Sequence, residues 1–281
     1  MVTDEKAQVV ISYVQQKKEL QFLSDSFIQS HFIEICRLEK KLREKITQQS
    51  VSEFSQSKEL KLIGKAIRQK ARKIYGIFQD VETIQNRSQI STTSVDDEHI
   101  RTLLKTHIST QERLPYYEEF FKKIFSLTKK PKSILDLACG LNPVAYYAFT
   151  RELKTSYTAC ELSEKDVAHL QDFFQYNNVP AKALVCNIVK NTQNIPQTPV
   201  EICFLLKTLD TCEYQQKYIT YDILDAIHAS YIVASFPIQN IKGKQMNRTK
   251  RISWFEKICT RKDYSFHICE FPGEIVYILT K

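Results

Sequence analysis

Glycine is scarce: there are five in 281 residues. With so few, a full G-x-G-x-x-G dinucleotide loop is absent, and only Gly140 stands where such a loop would open. No run of about 18 apolar residues occurs, which argues against a transmembrane helix. The start, MVTDEKAQVV, carries acids early and lacks a signal-peptide pattern, so a cytoplasmic protein with no membrane partner is expected. The eight cysteines include no C-x-x-C pair and read as reduced thiols, with no metal site expected. Residues 1–80 contain no proline, so nothing there forbids long helices. What remains is the composition of a soluble globular protein, 43% hydrophobic and 26% charged, with a net charge of +8.

The proline-free stretch reads as helical. Apolar residues recur at spacings of three and four over Gln8–Lys18 and Ser26–Ile46, with Ser24-Asp25-Ser26 as a helix start between them. A third helix is expected from about Val51 to Phe78. Within it Lys58, Lys61, Lys65, Arg68, Lys70, Arg72 and Lys73 face the single acid Glu59. A solvated helix face is the usual cause of a charge run. Basicity this one-sided is better explained by phosphate contact, and Lys17 and Lys18 add to it. Residues 83–97 are polar and read as a linker, followed by a helix to about Lys105.

Next comes HISTQER, His107 to Arg113, opening a helix expected to reach about Phe125. Ser109 or Thr110 ahead of Glu112 looks like an N-cap. Capping leaves His107 and Arg113 without a role, and Arg113 suits bidentate pairing with a carboxylate.

From Lys132 strands and helices alternate, which argues for a parallel sheet. Ser133 to Ala138 is an apolar strand running into Cys139-Gly140, and Pro143 suits the first turn of the helix beyond. A glycine at that strand end admits a ligand close to the backbone, and the helix terminus favours negative charge. Further strands are expected at Ser156–Glu161, Ala183–Cys186, Ile202–Leu206 and Ala229–Ala234. A hairpin of Ser265–Phe271 and Glu274–Thr280, split by Pro272-Gly273, would close the sheet. Glu161 lies 21 residues past Gly140, where an acid holds a ribose hydroxyl pair. Asn187 and Ile188 would edge an adenine. The layout is α/β, a Rossmann-like seven-stranded sheet of the class I S-adenosylmethionine (SAM) methyltransferases behind an all-helical segment.

Five blocks sharpen this reading: HISTQER at 107–113, SILDLACGLNP at 133–143, FLLKTLD at 204–210, SFPI at 235–238 and the closing EIVYILTK. In order and spacing they resemble the aminoglycoside-resistance 16S rRNA methyltransferases of the Arm/Rmt/Kgm type. VQQKKELQFLSDSFI and RQKARKIYGIF near the start resemble that family's helical domain. The resemblance implies residues 1–82 as a helical rRNA-binding domain, 83–105 as linker and helix, and 106–281 as the methyltransferase domain. It implies SAM as cofactor and, as target, N7 of a decoding-site guanosine (position 1405) of 16S rRNA in the assembled 30S subunit, with the chain acting as a monomer. His107, Ile108, Ser109, Arg113 and Gly140 would hold the methionine end of SAM, Glu161 the ribose, and Asn187 and Ile188 the adenine. Leu206 and Gln216 would line the pocket, with Tyr75 or Phe78 close by. The departure follows SFPI: the family's G-M-E-x-N-Y block is replaced by a basic stretch carrying Lys242, Lys244, Arg248, Lys250 and Arg251.

Guanine N7 has a free lone pair, so methyl transfer to it needs no general base. Accordingly no Ser-His-Asp or paired-carboxylate set is found, and orientation would carry the catalysis. Lys207 and Ser235 at strand ends are candidates to steady the target. Two other readings stay open: a SAM methyltransferase acting on another rRNA or tRNA site, and a non-catalytic rRNA-binding protein that kept the fold.

Overall fold

The computed structural model describes residues 4–17, 20, 23–74, 92–95, 98–238 and 251–281, the side chains of 72–74 excepted. Lys18, Tyr75, Phe78, Lys242, Lys244, Arg248 and Lys250, and the side chains of Arg72 and Lys73, lie outside that description. The chain divides into two compact units, Met1–Glu82 and Thr83–Lys281.

The first unit is helical: α1 (Asp4–Gln15), α2 (Asp25–Leu38), α3 (Lys40–Gln48), α4 (Val51–Gln56) and α5 (Lys58–Ile74). Its core includes Val10, Val14, Ile28, Phe32, Phe54, Ile63 and Ile67. Ser24 caps α2 as expected, accepting from the Phe27 amide. Two expected long helices are broken. The one read over Ser26–Ile46 stops at Leu38, because the Glu39 backbone leaves the helical region (φ −104°, ψ 79°). The one read from Val51 to Phe78 is interrupted at Ser57, whose hydroxyl accepts from the Leu60 amide and starts α5 afresh. Lys6 is buried and donates to the carbonyls of Ile46 and Gln49 at 2.7 and 2.6 Å, closing the carboxyl end of α3.

The second unit holds α6 (Ile100–Leu104), α7 (Ile108–Arg113), α8 (Tyr117–Thr128), α9 (Asn142–Thr150), α10 (Glu164–Tyr176), α11 (Leu209–Gln215), α12 (Ile219–Asp225) and α13 (Ser253–Arg261). Its strands are β1 (Ser133–Leu137), β2 (Ser156–Glu161), β3 (Ala181–Val185), β4 (Val200–Leu206), β5 (Ala229–Pro237), β6 (Ser265–Phe271) and β7 (Glu274–Thr280). They form one seven-stranded sheet in the order β3-β2-β1-β4-β5-β7-β6. β1 to β5 run parallel, and β7 lies antiparallel between β5 and β6. Residues read as linker and helix, 83–105, fall in this unit, where Val95, Ile100, Leu103 and Leu104 are buried.

Alternation along the strands sends side chains to two cores. Ile134, Phe204 and Leu206 face α8, α9 and α10, an aromatic-rich layer with Phe120, Phe121, Tyr146 and Phe173. Leu135, Leu137, Cys203 and Leu205 face α11, α12 and α13. All eight cysteines are free and buried, behaving as small hydrophobes. No described helix is long and apolar enough to cross a membrane. The strand order reverses between β1 and β4, so the carboxyl ends of β1, β2 and β4 border the crevice where open α/β sheets bind ligands.

Candidate functional site

The turn after β1 is held in an unusual conformation. Ala138 and Gly140 both have positive φ, 53° and 52°. Glycine meets that demand without strain, but Ala138 does not. There is a second reason for glycine: a Cβ at position 140 would lie 2.7 Å from the His107 ring. His107, the residue before α7, therefore packs directly over the turn. Glu161, at the end of β2, ties the turn down, its Oε2 accepting from the Gly140 amide at 2.9 Å and its Oε1 from the Leu162 amide at 2.7 Å. Three sequence-picked residues from separate elements thus meet at one point.

Beneath the turn lies a polar group that sequence reading missed. Asp136 is the next-to-last residue of β1 and 1% exposed. Its Oδ2 accepts from the Tyr157 hydroxyl at 2.6 Å and from Asn142 Nδ2 at 2.9 Å, while Asp136 Oδ1 and Asn142 Oδ1 have no protein partner among the described residues. Burial pushes the Asp136 carboxyl up to about 7, against the opposing hydrogen bonds from Tyr157 and Asn142. The signal was available: an acid inside the apolar run SILDLA is anomalous for a strand buried on both faces.

Arg113 ends α7 and is 1% exposed. Its Nε donates to Glu274 Oε1 and its Nη2 to Oε2 at 2.8 Å, with Ser235 Oγ at 3.3 Å from Nη2. Glu274, the first residue of β7, is fully buried. Burial works to raise its pKa, but Arg113, and after it Lys207, outweigh burial and hold the carboxyl below its ordinary value. The bidentate partner anticipated for Arg113 is therefore supplied, on one edge of the guanidinium, by the protein itself. Glu274 was missed because a glutamate after Pro-Gly carries no local signal.

Ser235, expected to steady the target, lies in the interior. It is 0% exposed, and its hydroxyl accepts from the Lys207 amide at 3.0 Å. Lys207 sits at positive φ (58°) after β4, and its ammonium is paired with Glu112. The cap expected at Ser109 or Thr110 is not formed by either side chain. The helix begins at Ile108, and Thr110 Oγ1 donates back to the carbonyl of His107 at 2.8 Å. The expected run to Phe125 breaks between Arg113 and Tyr117, ahead of α8.

Ile108 and Ser109 are half-buried on α7 beside His107. Asn187 and Ile188 follow β3; Asn187 Oδ1 accepts from the amides of Val189 and Lys190 at 3.2 and 2.9 Å, and Ile188 is buried. Leu206 is buried at the end of β4. Gln216 lies exposed just past the end of α11.

The ribosomal RNA methyltransferase (FmrO) family model matches residues 88–278. The chain belongs to that family. A 16S rRNA (guanine(1405)-N(7))-methyltransferase of Frankia casuarinae is 28% identical over 180 residues, spanning 63% of this chain and 62% of that protein. One of the same description from Micromonospora echinospora is 27% identical over 191 residues, covering 66% and 69% of the two chains. Among solved structures, the 16S rRNA methyltransferase RmtF in complex with S-adenosyl-L-homocysteine superposes with a TM-score of 0.78 at 21% identity, over 99% of both chains. The methylase ArmA gives 0.57 at 26% identity, over 73% of this chain and 99% of its own. Family membership and the class I methyltransferase sheet agree with what the five sequence blocks implied.

Among the basic residues of the first unit, Lys17, Lys58, Lys61 and Lys65 are exposed. Arg68 lies over the Tyr13 ring at 4.7 Å, and Lys70 bridges Glu34 at 2.7 Å. In the second unit, Arg251 pairs bidentately with Glu256, Nε to Oε1 and Nη2 to Oε2.

Proposed function

We propose that this protein methylates N7 of the decoding-site guanosine, position 1405 of 16S rRNA, using SAM, and that it acts as a cytoplasmic monomer on assembled 30S subunits. The observation that carries the reading is the closure of the Gly140 turn by His107 and Glu161 within a chain of this family. SAM fits what is present. Glu161 places a carboxylate where a ribose is held, and Ile188 and Leu206 offer apolar walls. Asp136 Oδ1 and Asn142 Oδ1 are buried acceptors suited to an ammonium group, directly or through water.

When bound, SAM supplies a methyl group on a cationic sulfur. The chain's task is then to hold donor and guanine in line and to exclude water. Gly140 admits the cofactor close to the backbone, and Glu161 fixes its ribose. Arg113 and His107 shape the carboxylate end. No residue needs to remove a proton, because N7 attacks through its own lone pair. Orientation of this kind supplies roughly 7–11 kcal/mol at best. Lys58, Lys61 and Lys65 would contact rRNA phosphates.

A second reading, methylation of another rRNA or tRNA nucleotide, is favoured by the basic stretch that stands after SFPI in place of G-M-E-x-N-Y. Transfer of labelled methyl from SAM to purified 30S subunits, with protein-free 16S rRNA in parallel and nucleoside analysis of the product, separates the two. N7-methylguanosine at 1405 on 30S alone supports the proposal; label elsewhere moves the target; no label and no SAM binding refutes an enzymatic role.

A further inference from the structure

The buried ion pair at the start of β7 has no evident structural necessity. Replacing such a pair by well-packed apolar residues is often neutral or stabilising. Yet here two strands and a helix are committed to it. Glu274 receives Arg113 through Nε and Nη2, and the Tyr116 hydroxyl donates to Glu274 Oε1 at 3.4 Å. Ser235, two residues before the end of β5, touches both Arg113 Nη2 and the Lys207 amide. The Phe120 ring lies 5.3 Å from the guanidinium carbon. Three acceptor atoms thereby fix one edge of the guanidinium, and Nη1 takes no part in the pair. The same short helix, α7, is preceded by His107, which packs against the Gly140 turn. Because Glu274 neutralises Arg113, what the arginine can present to a ligand is a donor in a fixed direction rather than a net charge.

We propose that Glu274 is a positioning residue that aims Arg113 Nη1 at the carboxylate of the cofactor's amino-acid end, an inference that rests on the SAM-dependent reading above. Glu274→Gln replaces one acceptor oxygen by an NH2 group, which in either amide orientation sets a donor against Nε or Nη2 and displaces the arginine.

The test compares two probes by titration calorimetry on the full chain: S-adenosylhomocysteine, which has the amino-acid end, and 5′-methylthioadenosine, which lacks it. Glu274→Gln is expected to weaken S-adenosylhomocysteine binding at least tenfold and to leave methylthioadenosine within twofold. An equal loss for both probes, or no loss for either, overturns the proposal while leaving the function intact. If Glu274→Gln does not melt cooperatively, Ser235→Ala, which strands no charge, replaces it. A loss of about threefold confined to S-adenosylhomocysteine is then expected, and an unchanged affinity overturns the idea. A wild-type protein that binds neither probe defeats both this inference and the SAM-dependent reading.

Discussion

Two ion pairs in this molecule have the same chemistry and opposite settings. Arg113 and Glu274 are 1% and 0% exposed in the second unit, whereas Lys70 and Glu34 are 32% and 49% exposed in the first. In the first case water is gone and each charge depends on the other. In the second, water solvates both and the pair contributes about 0–1 kcal/mol. The contrast extends to the units themselves. Around β1, β4 and β7 the charged groups are committed to the fold, while Lys58, Lys61 and Lys65 on α5 are left to solvent. One region is organised to hold geometry, the other to present charge.

The sharpest way to break the comparison is to remove one partner from each pair. Glu274→Leu strands a buried guanidinium, and a loss of about 3–5 kcal/mol of unfolding free energy is expected by denaturant titration. Lys70→Met should cost about 1 kcal/mol or less in the same assay. Equal effects would mean that burial does not distinguish them.

Asp136 offers the next largest effect, and its sign is opposite to that of ordinary acid denaturation. The unfolded carboxyl titrates near 4, while the folded one is pushed up to about 7. Between those values the unfolded chain releases a proton that the native state keeps, so stability falls as pH rises from about 4 to about 7 and stays reduced above it. The penalty is on the order of 4 kcal/mol, at about 1.4 kcal/mol for each pH unit. Asp136→Asn keeps an acceptor for Tyr157 and Asn142 without the charge. Its melting temperature relative to wild type should therefore climb across that range, and a pH-independent difference would show that Asp136 is ionised throughout.

These two carboxylates also mark the limit of what the sequence discloses. The runs read as β2 and as the closing hairpin match the strands to the residue, with Pro272-Gly273 marking the break between β6 and β7. The breaks at Glu39 and Ser57 were not legible: Glu39 makes no side-chain cap bond, and Ser57 lacks the Glu three residues on that marks Ser50 as a capping box. At the site, the Gly140 to Glu161 spacing is local enough to read from a βαβ unit. The partner of Arg113 is 161 residues away and is set by β7 entering the sheet beside β5, which no local pattern encodes.

The smallest stability effect belongs to the residues expected to matter most for RNA. Lys58, Lys61 and Lys65 are exposed and none forms an ion pair among the described residues, so replacing all three with serine should leave the melting temperature almost unchanged, apart from a few tenths of a kcal/mol of helix propensity. If each meets a phosphate, the triple variant should bind 30S subunits less tightly and with a shallower salt dependence. The slope of log affinity against log salt should fall by roughly 2–3, at about 0.7–0.9 for each phosphate no longer neutralised. The Lys70→Met variant provides the control within the same helix, because Lys70 is already partnered by Glu34 and should alter the slope by less than one. A triple variant with an unchanged slope would assign 30S recognition to other surfaces, and the exposed cations of α5 would then be no more than its solvated face.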